Sequence, residues 1–207
     1  MEVFYQSPAT FVLIAANVIA SMIAFSNPRF MEQNLFHVGP ILQGREWHRI
    51  VTSGFLHGGF FHLLINMYVL YGFGRLLEHP NVLGTGGFLI VYGAALLGGS
   101  FWSLLENRRK PDYRALGASG ATSGIILSVC LFAPFATLIL FVIPMPAVVF
   151  GVVFIVLSAI LAQRENKVIG HEAHLGGALA GLIATMLVRP DALSIFSEQV
   201  AARLGGG

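Results

Sequence analysis

The chain has 207 residues, 56% of them hydrophobic and only 11% charged, with a mean hydropathy of +0.76. Soluble domains carry about a quarter charged residues, so the composition excludes an ordinary soluble globule and points to a multi-spanning membrane protein. A net charge of +2 without a basic stripe argues against a nucleic-acid partner, and a lone cysteine, Cys130, excludes an internal disulfide.

Charges and turn residues divide the chain into six apolar stretches, at roughly 9–26, 53–74, 82–105, 117–133, 136–163 and 173–189. Each is near or above the ~17–25 residues a helix needs to cross a bilayer. No Lys or Arg precedes Arg29, so the first stretch lacks the basic flank of a signal peptide and reads as a retained span. The loop 27–52 carries Pro28, Gly39, Pro40 and Gly44 among many apolar residues, which predicts a packed loop suited to the membrane interface rather than a linker. Near its end, Trp47-His48-Arg49 suits an interfacial anchor, an aromatic ring at headgroup depth beside a cation.

The second stretch opens with His57, His62 and Asn66. His62 and Asn66 are four apart and share a helix face, whereas His57 falls off it and precedes the helix. The fourth begins Gly117-Ala118-Ser119-Gly120. The fifth is interrupted by Pro144 and Pro146, so 136–143 reads as an extended or interfacial segment and a helix starts near Pro146. The sixth opens His171-Glu172-Ala173-His174-Leu175-Gly176-Gly177. Gly120/Gly124 and Gly177/Gly181 recur at four-residue spacing, which lets membrane helices approach closely. With no internal repeat, 1–207 reads as one membrane domain, with a core at about 9–189 and a weakly helical tail at 190–207. The expected fold is an all-α membrane protein.

With six spans, the loops before spans 2, 4 and 6 emerge on one face. His57, His62 and Asn66, then Ser119, then His174 thus enter the membrane from the same side. If spans 4 and 6 pack through their glycines, Ser119 Oγ and His174 come within about 3 Å. A serine hydroxyl needs a base, and His174 is the best placed. All ten acidic residues lie outside the spans or at their ends. Burial disfavours a carboxylate, and Glu172 and His174 face apart at i, i+2, so a Ser–His dyad is the more economical reading than a triad. His62, the amide of Asn66 and the backbone N–H of Ser119 can serve a developing oxyanion, and Gly117 and Gly120 allow close backbone approach.

Taken singly the motifs are weak. Gly-x-Ser-Gly in a glycine-rich chain reads more readily as a helix-packing serine, and Ala121 stands where the soluble-hydrolase elbow has glycine. A lone intramembrane histidine is more often structural or part of a proton path. The His57–His62–Asn66 run lacks a thiolate or carboxylate, so no metal or cofactor is expected. A channel or transporter spreads its polar residues at the midplane rather than clustering them toward one face.

Together these residues resemble the rhomboid intramembrane serine proteases over about 35–190. Gly117–Ala121 is similar to the family's nucleophile motif, and Ala173–Gly177 through Gly181 to its last-helix motif, which makes His174 rather than His171 the matching base. His57, His62 and Asn66 match the histidine and asparagine positions of the second helix. Trp47 and Arg49 resemble the first-loop Trp-Arg pair, with His48 inserted. Ser123 departs from members that carry a tyrosine there. The resemblance implies a six-helix core, a Ser119–His174 dyad, and cleavage of single-pass transmembrane substrates in or beside their membrane segment. It also implies a preference for a small residue before the scissile bond and for an unstable substrate helix. Inactive relatives, binding or quality-control factors of the same fold, lack the serine or histidine or place proline before the serine; Ser119, His174 and Ala118 argue for activity. A bacterial-type cell membrane is the expected location. Arg29, Arg45, Arg49, Arg108, Arg109, Lys110, Arg114, Arg164 and Lys167 on the catalytic side outnumber Arg75, Arg189 and Arg203 opposite. That excess predicts a cytoplasmic catalytic face, whereas many bacterial members open outward.

Overall fold

The computed structural model describes residues 7–140, 143–162 and 171–205. Helix α1 (Pro8–Ser26) begins on a proline, tolerated there because the first N–H groups have no helical partner. Asn27 ends it and caps α2 (Pro28–Asn34), its side chain accepting the Phe30 N–H. The first loop continues through β1 (Phe36–His37), α3 (Val38–Leu42), α4 (Arg49–Thr52) and a 3-10 turn at Ser53–Phe55. Then come α5 (Phe60–Glu78), α6 (Gly84–Asn107), β2 (Arg114–Ala115) and α7 (Ser119–Phe132). The chain ends with β3 (Thr137–Leu140), β4 (Ile143–Pro146), α8 (Ala147–Ala162), α9 (His171–Val188) and α10 (Ala192–Gly205). The fold is thus mostly helical, and two short antiparallel pairs, β1–β2 and β3–β4, qualify the all-α expectation.

Three described helices, Pro8–Ser26, Phe60–Glu78 and Gly84–Asn107, are long and apolar enough to cross a membrane, and a fourth if α9 and α10, bent by 99°, count as one. Helix α7, with 14 residues, is about 21 Å long, short of the ~30 Å hydrocarbon core. Yet it is the centre of the molecule. Every residue from Gly120 to Leu131 is buried, and Ala121, Ile125 and Val129 share a core with Met67 and Leu70 of α5 and Phe88 and Tyr92 of α6. Large apolar side chains face outward instead, among them Val12, Leu64, Tyr68, Ile90, Val152 and Leu187, as a lipid solvent favours.

The predicted span boundaries hold for α1 and α6 and shift for α5. The expected start at 53 gives way to Phe60, because Gly58 and an extended Gly59 separate the helix from the 3-10 turn. A π-turn at Leu70–Gly74 then carries it past two glycines to Glu78. At Gly74 an added Cβ would lie 3.0 Å from Thr10 Oγ1, so the glycine lets α1 pack closely. Of the expected extended segment 136–143, Thr137–Leu140 is a strand and 141–142 lie outside the described residues; a second strand, Ile143–Pro146, precedes the helix that starts at Ala147.

Two expectations are corrected. Burial does not exclude carboxylates: Glu78 and Glu172 are both buried. Glu78 accepts the backbone N–H groups of Ala9 and Thr10, each at 2.8 Å, and the hydroxyls of Thr10 and Thr85, so protein N–H and O–H donors replace water around the carboxylate and the first turn of α1 is capped. Arg49 is no headgroup cation either. It is buried, pairs with Glu46, and donates to the Glu32 and Leu35 carbonyls at 2.7 and 3.0 Å, clamping the first loop. Trp47 and His48 of that anchor are exposed. The loop is packed as expected, with Phe36, Val38, Ile41 and Ile50 against Leu104 of α6.

Candidate active site

The N-terminal ends of α5, α7 and α9 converge on one cavity of about 1060 Å³. Its lining includes His62 and Asn66 of α5, Ser119, Gly120, Thr122 and Ser123 of α7, and His174 of α9, with Gly117 from the loop before α7. His57, Gly177, Gly181, Trp47 and Arg49 do not line it.

Gly117 sets the local geometry. Its φ of +123° lies where side chains are strained, and an added Cβ would sit 2.7 Å from His62 Cε1 and 3.6 Å from Ser119 Oγ. Glycine therefore lets the His62 imidazole lie against the loop beside the serine hydroxyl. Ser119 is the first residue of α7, so its N–H belongs to the set without an intrahelical acceptor.

His57 lies behind this loop, before α5 as expected, and is fully buried. The Ala118 N–H donates to His57 Nε2 at 3.5 Å. That leaves Nδ1 as the ring donor, and Ser21 Oγ lies 2.9 Å from it. Ser21 in turn donates to the Phe55 carbonyl at 3.1 Å. The chain of bonds ties the residue before Ser119 to α1. The His57 and His62 rings meet edge to face, 5.0 Å apart.

Glycines set the α7–α9 crossing. A Cβ on Gly181 would fall 2.5 Å from Gly124 Cα, one on Gly124 2.8 Å from the Gly177 carbonyl, and one on Gly120 3.2 Å from the Ala173 carbonyl. The spacing read from the sequence is the contact itself. It holds the first turn of α9, with His174, against the first turn of α7, with Ser119.

Around the site, Thr122 carries no expectation from the sequence, and Ser123 and Glu172 carry no catalytic one. Thr122 donates to Asn66 Oδ1 at 3.0 Å, and Asn66 Nδ2 donates to the His62 carbonyl at 2.9 Å. Ser123 donates to the Ser119 carbonyl at 2.6 Å. Glu172 accepts from Tyr113 OH at 2.6 Å and Asn107 Nδ2 at 3.0 Å, joining the start of α9 to the end of α6 and the following loop. Burial and Glu172 both push the Tyr113 phenol above its ordinary range. For Thr122 the available signal was its place one turn after Ser119.

A family model described as the rhomboid domain matches residues 44–191. The chain belongs to the rhomboid family.

RHOMBOID-like protein 12, mitochondrial, of Arabidopsis thaliana is 32% identical to this rhomboid over 194 residues, covering 86% of this chain and 57% of that protein. The presenilin-associated rhomboid-like protein, mitochondrial, of Homo sapiens is 34% identical over 140 residues, 64% of this chain and 36% of that one. The putative rhomboid protease YdcA of Bacillus subtilis is 32% identical over 144 residues, 69% and 67% of the two chains. This rhomboid therefore spans only about a third to two thirds of these relatives' lengths. It is a membrane protein. The expected bacterial-type cell membrane is at odds with the mitochondrial names of the Arabidopsis and human relatives.

Proposed function

We propose that this rhomboid is an intramembrane serine endopeptidase that cuts single-pass transmembrane substrates within or beside their membrane segment. The observation that carries the reading is the convergence of three helix starts, with Ser119, His174 and the His62/Asn66 pair, on one cavity. In this reading α1, α5, α6, α8 and α9 are five membrane helices around the short, buried α7, six in all. Ser119 Oγ attacks the scissile carbonyl as His174 takes its proton. The carbonyl oxygen becomes an oxyanion held by His62, the Asn66 amide and the Ser119 N–H. The C–N bond breaks, His174 returns the proton to the leaving amine, and water then hydrolyses the acyl-enzyme by the same route. His57, Gly117, Gly120, Gly177 and Gly181 position these groups. The substrate helix must unwind locally, because a helical peptide bond is shielded.

Purified full-length chain, reconstituted with a model single-pass membrane substrate, tests this. Ser119→Ala and His174→Ala should abolish cleavage with folding intact. Asn66→Ala should slow it by ~10²–10³, as loss of one oxyanion donor does. Turnover retained by either dyad variant would overturn the Ser119–His174 assignment, and no turnover by the folded wild-type chain would leave the family's inactive, helix-binding role as the reading.

A further inference from the structure

We infer that Thr122 is a positioning residue that fixes the Asn66 carboxamide, and with it the N–H that Asn66 presents to the cavity. The inference rests on the proteolytic reading above. Asn66 and Thr122 are both buried, at 4% exposure each, so the two groups must satisfy one another rather than draw on bulk water. The amide is held at both ends. Its Nδ2 donates to the His62 carbonyl at 2.9 Å, and its Oδ1 accepts the Thr122 hydroxyl at 3.0 Å.

Thr122 has one hydroxyl proton and two acceptors within reach, Asn66 Oδ1 and the Ser119 carbonyl at 3.2 Å. Ser123 already serves that carbonyl, at 2.6 Å, which releases the Thr122 proton for Asn66. Flipping the amide would set Oδ1 against the His62 carbonyl, two acceptors face to face. One orientation therefore wins. In it, one Nδ2 hydrogen is spent on the His62 carbonyl and the second is the only donor capacity the side chain has left. Thr122 follows Ser119 by one helical turn, so the support for the oxyanion donor rides on the same rigid helix as the nucleophile. A donor set in advance toward the developing charge is what makes such a group effective.

The test compares Thr122→Val, which keeps the shape and removes the hydroxyl, with Thr122→Ser, which keeps the hydroxyl. Both are made in the full chain and in Asn66→Ala, with kinetics on the model membrane substrate. Thr122→Val should lower kcat about tenfold with KM within about twofold, and Thr122→Ser should stay within about threefold of wild type. On the Asn66→Ala background Thr122→Val should remove nothing further, because its effect runs through Asn66. Wild-type kcat in Thr122→Val, or the same fold-loss on both backgrounds, would overturn the inference. Absence of Ser119-dependent turnover in the wild-type chain would instead sink the proteolytic reading, and is scored before any Thr122 variant.

Discussion

A carboxylate with no solvent exposure stands two residues before His174 and holds the Tyr113 phenol by a 2.6 Å bond. Burial, then Glu172, raises the phenol's pKa above its ordinary value of about 10. A raised folded-state pKa means the contribution is complete below pH ~10 and is lost as pH rises above it, since the unfolded chain ionises first. Wild type should therefore be more stable than Tyr113→Phe by about 1–3 kcal/mol near neutrality. That gap should shrink above pH ~10. Unfolding of both proteins across neutral to alkaline pH measures it, and a gap that stays constant or widens would contradict the assignment. The same residue shows where a sequence misleads. Its i, i+2 spacing from His174 and the cost of a buried charge set Glu172 aside as a triad member, and neither shows that it is buried with donors, Tyr113 and Asn107, more than fifty residues away in the chain. Burial is forbidding only when such partners are missing, and partners distant in sequence cannot be read from spacing.

At the scale of elements, the α7–α9 crossing is built on absent side chains. Gly181→Ala would drive a methyl against Gly124 Cα at 2.5 Å, backbone that cannot rotate away. The helices must separate, with a stability loss of about 1–3 kcal/mol and a larger loss of any activity that needs both helix starts in register. Gly93→Ala, on α6 with open space around it, is the control and should leave stability unchanged or slightly raised. Equal effects of the two changes in an unfolding assay would refute the crossing. The sequence announced this contact because four-residue glycine spacing is local. The start of α5 was misplaced for the opposite reason. Phe55 through Leu70 is a mostly apolar stretch interrupted by His57, His62 and Asn66, and it is the backbone at Gly58-Gly59 that divides turn from helix. Likewise, 136–143 reads as extended, yet the pairing of Thr137–Leu140 with Ile143–Pro146 depends on register, which hydropathy does not encode.

For the whole molecule, apolar side chains outside and polar ones paired inside, as at Glu78–Thr10, Ser128–Thr185 and Asn66–Thr122, follow from a solvent that rewards neither exposed charge nor unpaired backbone. Loop parity predicts one membrane side for Ser119, His174 and His62/Asn66; in the structure the helix starts that bear them line one cavity. The central claim is that the serine at that meeting point is an activated nucleophile. Labelling of the purified full chain with a fluorophosphonate, read by intact mass and peptide mapping, tests it most directly. One adduct on Ser119 is expected in wild type, none in Ser119→Ala, and sharply slower reaction in His174→Ala. A folded wild-type chain that stays unlabelled, or Ser119→Ala labelled as fast as wild type, would contradict it.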